Sequence, residues 1–195
     1  MTNKTYLDQL SNKEVIKSLY FSQGFILLAG IIFALLFIED PRLWFESLWK
    51  AKLIDIIVYG FGTGFLVVLI EYMIDKVAPK RWFEDDGVNE RVFQALSYPH
   101  VIFSMAVVAF SEEILFRGLI QYKFGMFIAS MIFAFVHWRY IKKPLLLLTV
   151  IILGFYLGWL FETTGQLLVP IAAHYTIDAA LGIILKWQSS KRRGA

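Results

Sequence analysis

Six ionisable side chains, Glu112, Glu113, Arg117, His137, His174 and Asp178, lie in stretches otherwise apolar enough to span a bilayer. A charged group at the bilayer centre costs at least about 2.5 kcal/mol on insertion scales, so such groups face a bundle interior and are functional by default. Two of the chain's three histidines are in the set. A carboxylate beside an imidazole can activate water, so the set points to intramembrane chemistry.

The residues fall into three motifs. In Ser111-Glu112-Glu113-Ile114-Leu115-Phe116-Arg117-Gly118, a helical repeat puts Glu113 and Arg117 about 40° apart. They stand in the favourable Glu-before-Arg order, and we read them as a buried salt bridge that supports the packing. Glu112 lies about 100° round the helix. Nothing local neutralises it, and we read it as the general base. In Phe133-Ala134-Phe135-Val136-His137 the Phe and His share a face. By itself His137 is what an interfacial residue looks like. His174 and Asp178 stand at i,i+4, so the carboxylate can accept from a ring N–H and fix the tautomer. A buried polar contact between helices would look the same. Together, Glu112, His137 and His174 could converge on one water or one metal, since two His and one Glu form an established catalytic zinc set. The expectation is therefore a possible divalent metal, zinc, held by these three residues. No cofactor is demanded by the sequence.

These groups need a scaffold. The chain has 195 residues, 58% hydrophobic and 17% aromatic, with net charge +3 and no cysteine. Ordinary soluble domains are about 45–50% apolar, so composition indicates a membrane protein. Thiolate metal sites and Cys nucleophiles are excluded. Apolar segments at Ser18–Ile38, Leu53–Ile74, His100–Gln121, Phe124–Tyr140, Leu145–Phe161 and Leu167–Leu185 each reach the roughly 17–25 residues that a spanning helix needs. The expected fold is all-α, a polytopic membrane helix bundle of about six transmembrane helices. It forms one membrane-embedded domain over 1–195, with a motif-bearing core at about 99–185. Residues 1–98 supply two generic helices and a polar loop, Asp75–Pro99, acidic at Glu84, Asp85 and Asp86. Pro144 starts one segment, where a missing N–H is harmless. Gly60/Gly64 and Gly154/Gly158 are spaced for close helix contact, which we read as intramolecular.

With the N-terminus placed inside, fourteen of the 19 basic residues fall on inside segments, among them Lys4, Lys80, Arg81 and Arg193. That bias predicts both termini cytoplasmic. The scattered basic residues are topology signals, which excludes a nucleic-acid surface. The polar start, mixed in charge, does not read as a cleavable signal peptide.

The three motifs resemble those of the CPBP family of intramembrane proteases (CAAX protease and bacteriocin-processing, also called Abi). Its members carry Glu-Glu-x-x-x-Arg, Phe-x-x-x-His and His-x-x-x-Asn or Asp on successive hydrophobic segments. Here these are Glu112-Glu113…Arg117, Phe133…His137 and His174…Asp178. The resemblance covers about Pro99 to Leu185. It implies an endopeptidase, in a family labelled metalloprotease, in which Glu112 activates water with help from His137. His174 and Asp178 would stabilise the oxyanion or bind a metal, and Glu113 and Arg117 would hold the site together. Eukaryotic prenyl-protein members usually end the third motif in Asn, which can donate an N–H; Asp178 more naturally orients His174. His-Glu-x-x-His, Gly-x-Gly-Asp and the rhomboid-type Gly-x-Ser-Gly do not occur.

The expected partners are the lipid bilayer and a membrane-associated peptide or protein substrate. Composition and basic loops suit a bacterial inner membrane, with the site open to the cytoplasm. Oligomeric state is not readable. The competing expectation is a non-enzymatic membrane protein, a proton- or ion-coupled transporter or an immunity or scaffold protein, using the same buried cluster. There Asp55 and Glu71 would matter, although snorkelling at helix ends also explains them. One geometric conflict stands. Glu112 lies about twelve residues along its helix, roughly 18 Å by helical rise, whereas His137 falls near the inner end of the fourth segment. The two meet only if that segment starts earlier, kinks or tilts.

Overall fold

A capping box starts the first long helix among the described residues. Glu14 N donates to Ser11 Oγ at 3.3 Å and Ser11 N to Glu14 Oε2 at 2.8 Å, satisfying two donors that a helix start leaves open. The computed structural model describes residues 9–50, 52–79, 82 and 85–194, with residues 193 and 194 described through their backbone only. Lys4, Lys80, Arg81 and Glu84, used above for topology and loop charge, lie outside the described residues, as does the side chain of Arg193.

Helix α1 spans Asn12–Phe37 and α2 spans Pro41–Leu48, capped by Asp40, which accepts from Arg42 N and Leu43 N at 3.0 Å. Helix α3 (Leu53–Val77) contains a π-helical turn at Ile56–Gly62. Helix α4 (Val88–Ala95) follows Gly87, whose φ of 83° is a left-handed start only glycine adopts freely. Helix α5 (Tyr98–Phe124) contains a second π-helical turn at Ile114–Gln121. Helices α6 (Met126–Val136), α7 (Pro144–Thr164) and α8 (Leu168–Gly194) follow. Pro144 does occupy the first turn of α7. No strand occurs among the described residues.

Five of these helices, α1, α3, α5, α7 and α8, are long and apolar enough to cross a membrane. The protein is a multi-pass membrane helix bundle. The fourth apolar segment is the exception. It gives the 11-residue α6, about 16 Å long by helical rise, followed by a 3₁₀ turn at Trp138–Tyr140. Gly125 (φ 84°) reverses the chain before it. Two amphipathic helices, α2 and α4, occupy stretches that read as loops in the sequence.

Helices α5 and α8 pack on each other at the centre; α3 lies on α8, α6 on α5 and α7, and α1 on α5 and α4. Half of the apolar window of α5 and of α8 is buried, against 11% for α1 and 17% for α3, which leaves those two as the lipid-facing helices. Both glycine pairs pack within the chain. A Cβ on Gly60 would meet Ala172 Cβ at 2.7 Å, and one on Gly64 would meet Thr176 Cβ at 2.8 Å and Ala173 O at 2.9 Å, so α3 rides directly on α8. A Cβ on Gly158 would meet Met126 Cγ at 2.8 Å, and one on Gly154 Ser130 O at 3.3 Å, so α7 closes on α6 in the same way. Gly64→Leu must push a side chain against backbone here. It should destabilise the bundle by about 1–3 kcal/mol, measurable as a lower thermal midpoint in detergent, while Gly24→Leu, in open space, should not.

The two ends of the described chain meet on one face. Arg91 Nη1 of α4 donates to Asn12 Oδ1 at 2.9 Å, and Lys186 Nζ of α8 to Phe93 O at 3.2 Å. The α6–α7 connection joins them, since Lys143 pairs with Asp86 at 3.0 Å.

Candidate active site

The site is built around the π-helical turn of α5. Ile114 N–H reaches both Phe110 O and Ser111 O, and the helix widens through Gln121. π turns are rare and recur at functional sites. From Ser111 to Gln121 every residue is buried except Ile114, which is half-buried. An α-helical angle of 100° per residue does not carry through this turn. The expected pair survives nonetheless: Arg117 Nη1 donates to Glu113 Oε1 at 2.9 Å, and neither side chain is exposed.

Arg117 also fastens α5 to α7. Its Nη2 donates to Gly154 O at 2.9 Å, and Gln121 Nε2, one turn on, to Gly158 O at 2.8 Å. Ser130 Oγ of α6 donates to Gly154 O as well, at 3.0 Å. The missing side chains at Gly154 and Gly158 therefore open two backbone carbonyls to polar groups, a role beyond close packing. The guanidinium lies 4.5 Å from the Phe133 ring centroid, so the Phe of the second motif is a cation–π wall for the Arg of the first. From the opposite side, Trp44 Nε1 of α2 donates to Gly118 O at 2.6 Å.

Glu113 does more than the sequence reading assigned to it. The same Oε1 accepts from His174 Nδ1 at 2.8 Å, which ties α5 to α8. His174 Nε2 lies 3.3 Å from Asp178 Oδ2, as the i,i+4 spacing predicted. The Asp178 side chain is 31% exposed and the other two nearly closed off, so the open side of this chain of contacts is at Asp178.

Glu112 is 7% exposed. Among the described residues its carboxylate makes no hydrogen bond or ion pair, yet His174, His137, Asp178 and Glu113 all act on it electrostatically. Its neighbour Ser111 fixes the helix rotation: Ser111 Oγ donates to Gln23 Oε1 of α1 at 2.6 Å, with both residues buried.

His137 caps the short α6. Its Nδ1 donates to Phe133 O at 2.8 Å, which leaves Nε2 as an acceptor. The ring stacks over Tyr140 at 6.2 Å and 14°. Tyr140 OH accepts from Asn89 Nδ2 at 3.2 Å and also from Arg139 Nη2. The depth conflict is resolved by length, with no kink. Because α6 stops after 11 residues, His137 hangs about 16 Å below its starting face and not at the far surface.

Two comparisons bear on this arrangement. A family model described as type II CAAX prenyl endopeptidase Rce1-like matches residues 94–180, the stretch that carries all three motifs. An uncharacterised protein of Bacillus subtilis (strain 168), YpbD, is 37% identical over 171 residues, 88% of this chain and 90% of its own. The chain belongs to the Rce1-like, CPBP family of endopeptidases. No solved structure matches it. The Rce1-like match begins inside α4, so α1 and α3 lie outside it, and both still reach the site. Gln23 of α1 holds Ser111, as above. On α3, the buried Gly60, Gly64 and Val68 face the bundle, and Glu71, three residues on, is half-buried and acts electrostatically on Asp178. That placement replaces snorkelling as the account of Glu71. Asp55 behaves as a helix-end residue and accepts from Gln166 Nε2 at 2.5 Å. The signal for Glu71 was present as a carboxylate in register with the Gly60/Gly64 spacing. That for Gln23 was an amide within an apolar run.

The Rce1-like site in this conformation does not fit the expected metal set. Among the described residues no three His, Asp or Glu side chains are arranged to hold an ion. The cause lies in His174. Both ring nitrogens face carboxylate oxygens, Nδ1 at 2.8 Å from Glu113 and Nε2 at 3.3 Å from Asp178, so neither points into an open position for an ion. His137 Nδ1 is committed to a backbone carbonyl.

Proposed function

We propose that this protein hydrolyses a peptide bond in a membrane-associated peptide or protein, with Glu112 as the general base. The observation that carries the reading is Glu112 itself. A carboxylate 7% exposed, with no hydrogen bond or ion pair among the described residues, is expensive to maintain in a bundle core. It has the freedom to bind and deprotonate one water. His137 offers Nε2 as a second acceptor for that water. As the water adds to the carbonyl carbon, the carbonyl π electrons move to oxygen. His174 Nε2, held only loosely by Asp178 at 3.3 Å, donates to that oxyanion. As the oxyanion re-forms the carbonyl, the C–N bond breaks with its electron pair on nitrogen, and Glu112 passes the water's proton to the leaving amine. Glu113 and Arg117 keep His174 in place. No step is routed through a metal, and chelation by 1,10-phenanthroline should leave the rate unchanged.

We further propose that the face bearing Asn12, Asp86 and Lys186 is cytoplasmic and that substrate reaches the site on the Asp178 side. Whether the membrane is a bacterial inner membrane follows the same reading. The match to an endopeptidase family supports this reading over the transporter and scaffold alternatives.

The test uses the full chain in proteoliposomes with quenched-fluorescent peptides carrying a hydrophobic anchor. Cleavage by the wild type, and its loss in His137→Gln by about 10²-fold or more, is the expected result. Asp178→Asn should keep most of the rate, because an Asn carbonyl still accepts from His174, whereas Asp178→Leu should not. Equal rates for Asp178→Leu and wild type would remove Asp178 from the site.

A further inference from the structure

At the end of the bundle remote from Asn12 and Lys186, a cavity of about 780 Å³ opens between the end of α2, the start of α3 and the turn joining α7 to α8. Its wall includes Lys50, Lys52, Asp55, Tyr59, Trp159 and Gln166. Its floor is ordered. Gln166 is 5% exposed; its Oε1 accepts from Lys52 N at 2.6 Å, and Leu167 N donates to Leu48 O at 3.1 Å. One carboxylate, Asp55, stands in the wall and is engaged by Gln166 Nε2 at 2.5 Å.

The lysines differ from the other cations at this end. Arg42 pairs with Glu46 at 2.9 Å and Lys123 with Glu39 at 3.4 Å. Neither Lys50 nor Lys52 has an ion-pair partner among the described residues. Below them the wall is aromatic and faces lipid. Tyr59 and Trp159 are each about half exposed, and Trp159 stacks on Tyr156 at 6.4 Å. Tyr156 OH donates to Thr63 Oγ1 and so bridges α7 to α3 beneath the opening. Spanning helices start and end at this level, so the cavity sits where headgroups meet acyl chains, and Trp and Tyr favour that depth.

We infer that this cavity binds an anionic phospholipid. Its phosphate lies between Lys50 and Lys52, and its glycerol and upper acyl chains lie against Tyr59 and Trp159. Free phosphate would use the lysines alone and has no reason to engage an aromatic wall open to lipid. The inference is independent of the peptidase reading.

The experiment is native mass spectrometry of the full chain in neutral detergent, titrated with dioleoylphosphatidylglycerol and, separately, dioleoylphosphatidylcholine. The wild type should retain phosphatidylglycerol in preference. Lys50→Gln/Lys52→Gln should weaken that binding about 30-fold, the loss expected for two lysines at a membrane surface. Lys50→Arg/Lys52→Arg should preserve it. Trp159→Ala should weaken it with no change of charge. Lys13→Gln/Lys17→Gln, two exposed positions at the other end, gives the same net charge and should leave binding unchanged. Equal loss in that control would reduce the effect to diffuse attraction and overturn the site. Equal retention of phosphatidylcholine would overturn charge recognition. Displacement of the lipid by millimolar inorganic phosphate would make it a phosphate site.

Discussion

Glu112→Gln is expected to lower peptide cleavage by about 10²–10⁴-fold, the span that a positioned general base contributes, while the protein remains folded. The amide keeps the size of the side chain and cannot accept a proton. Removal of this charge breaks no contact, because the carboxylate has no hydrogen bond or ion pair among the described residues. A buried unpaired charge is unfavourable, so the variant should be as stable as the wild type or more so. The diagnostic result is thus an inverse pair: rate down, thermal midpoint unchanged or up. Cleavage at the wild-type rate would sink Glu112 as the base. Collapse of the midpoint would instead assign it a structural role.

The opposite pattern is expected one turn on. Arg117→Leu should destabilise the bundle by about 3–5 kcal/mol, because removal of one partner leaves the other as an unpaired buried charge. Here the partner is Glu113, fully buried, whose Oε1 serves both Arg117 and His174 and whose Oε2 already has no hydrogen-bond partner among the described residues. The Leu also removes the guanidinium donor that Gly154 O shares with Ser130 Oγ, and vacates the face of Phe133. Glu113→Leu/Arg117→Leu should recover much of the stability, since matched apolar residues often replace a buried pair without penalty. It should stay inactive, because His174 Nδ1 then has nothing to hold it. Unfolding in mixed detergent monitored by circular dichroism, read beside the cleavage assay, separates these outcomes. If the double variant is no more stable than Arg117→Leu, the pair does more than neutralise charge.

Much of the architecture was legible in composition. Hydrocarbon cannot hydrogen-bond the backbone, so an apolar run long enough to cross must be helical, and five of the six runs became spanning helices. The spacing at Glu113/Arg117 and at His174/Asp178 also sufficed, because an i,i+4 contact is fixed by helix geometry before any helix packs. The glycine pairs were readable as packing sites within the chain.

What failed in the sequence reading was non-local or departed from the ordinary helix. The fourth apolar run is as hydrophobic as the others, and only Gly125 and the turn after His137 shorten it. Hydropathy does not register where a helix stops inside a continuous apolar stretch. The π turn at Ile114–Gln121 breaks the 100° rule at the very residues where it was applied.

The sequence by itself determined that this is a membrane helix bundle with three motif-bearing segments, because transfer free energy and helical periodicity are properties of contiguous residues. Only the tertiary structure decided that Glu113 belongs to His174 as much as to Arg117, that Glu112 is left without a partner, and that Gln23 and Glu71 reach the site from helices that looked generic. Contacts between residues 61 positions apart, as Glu113 and His174 are, depend on how helices pack, and packing is a property of facing surfaces that no local pattern encodes.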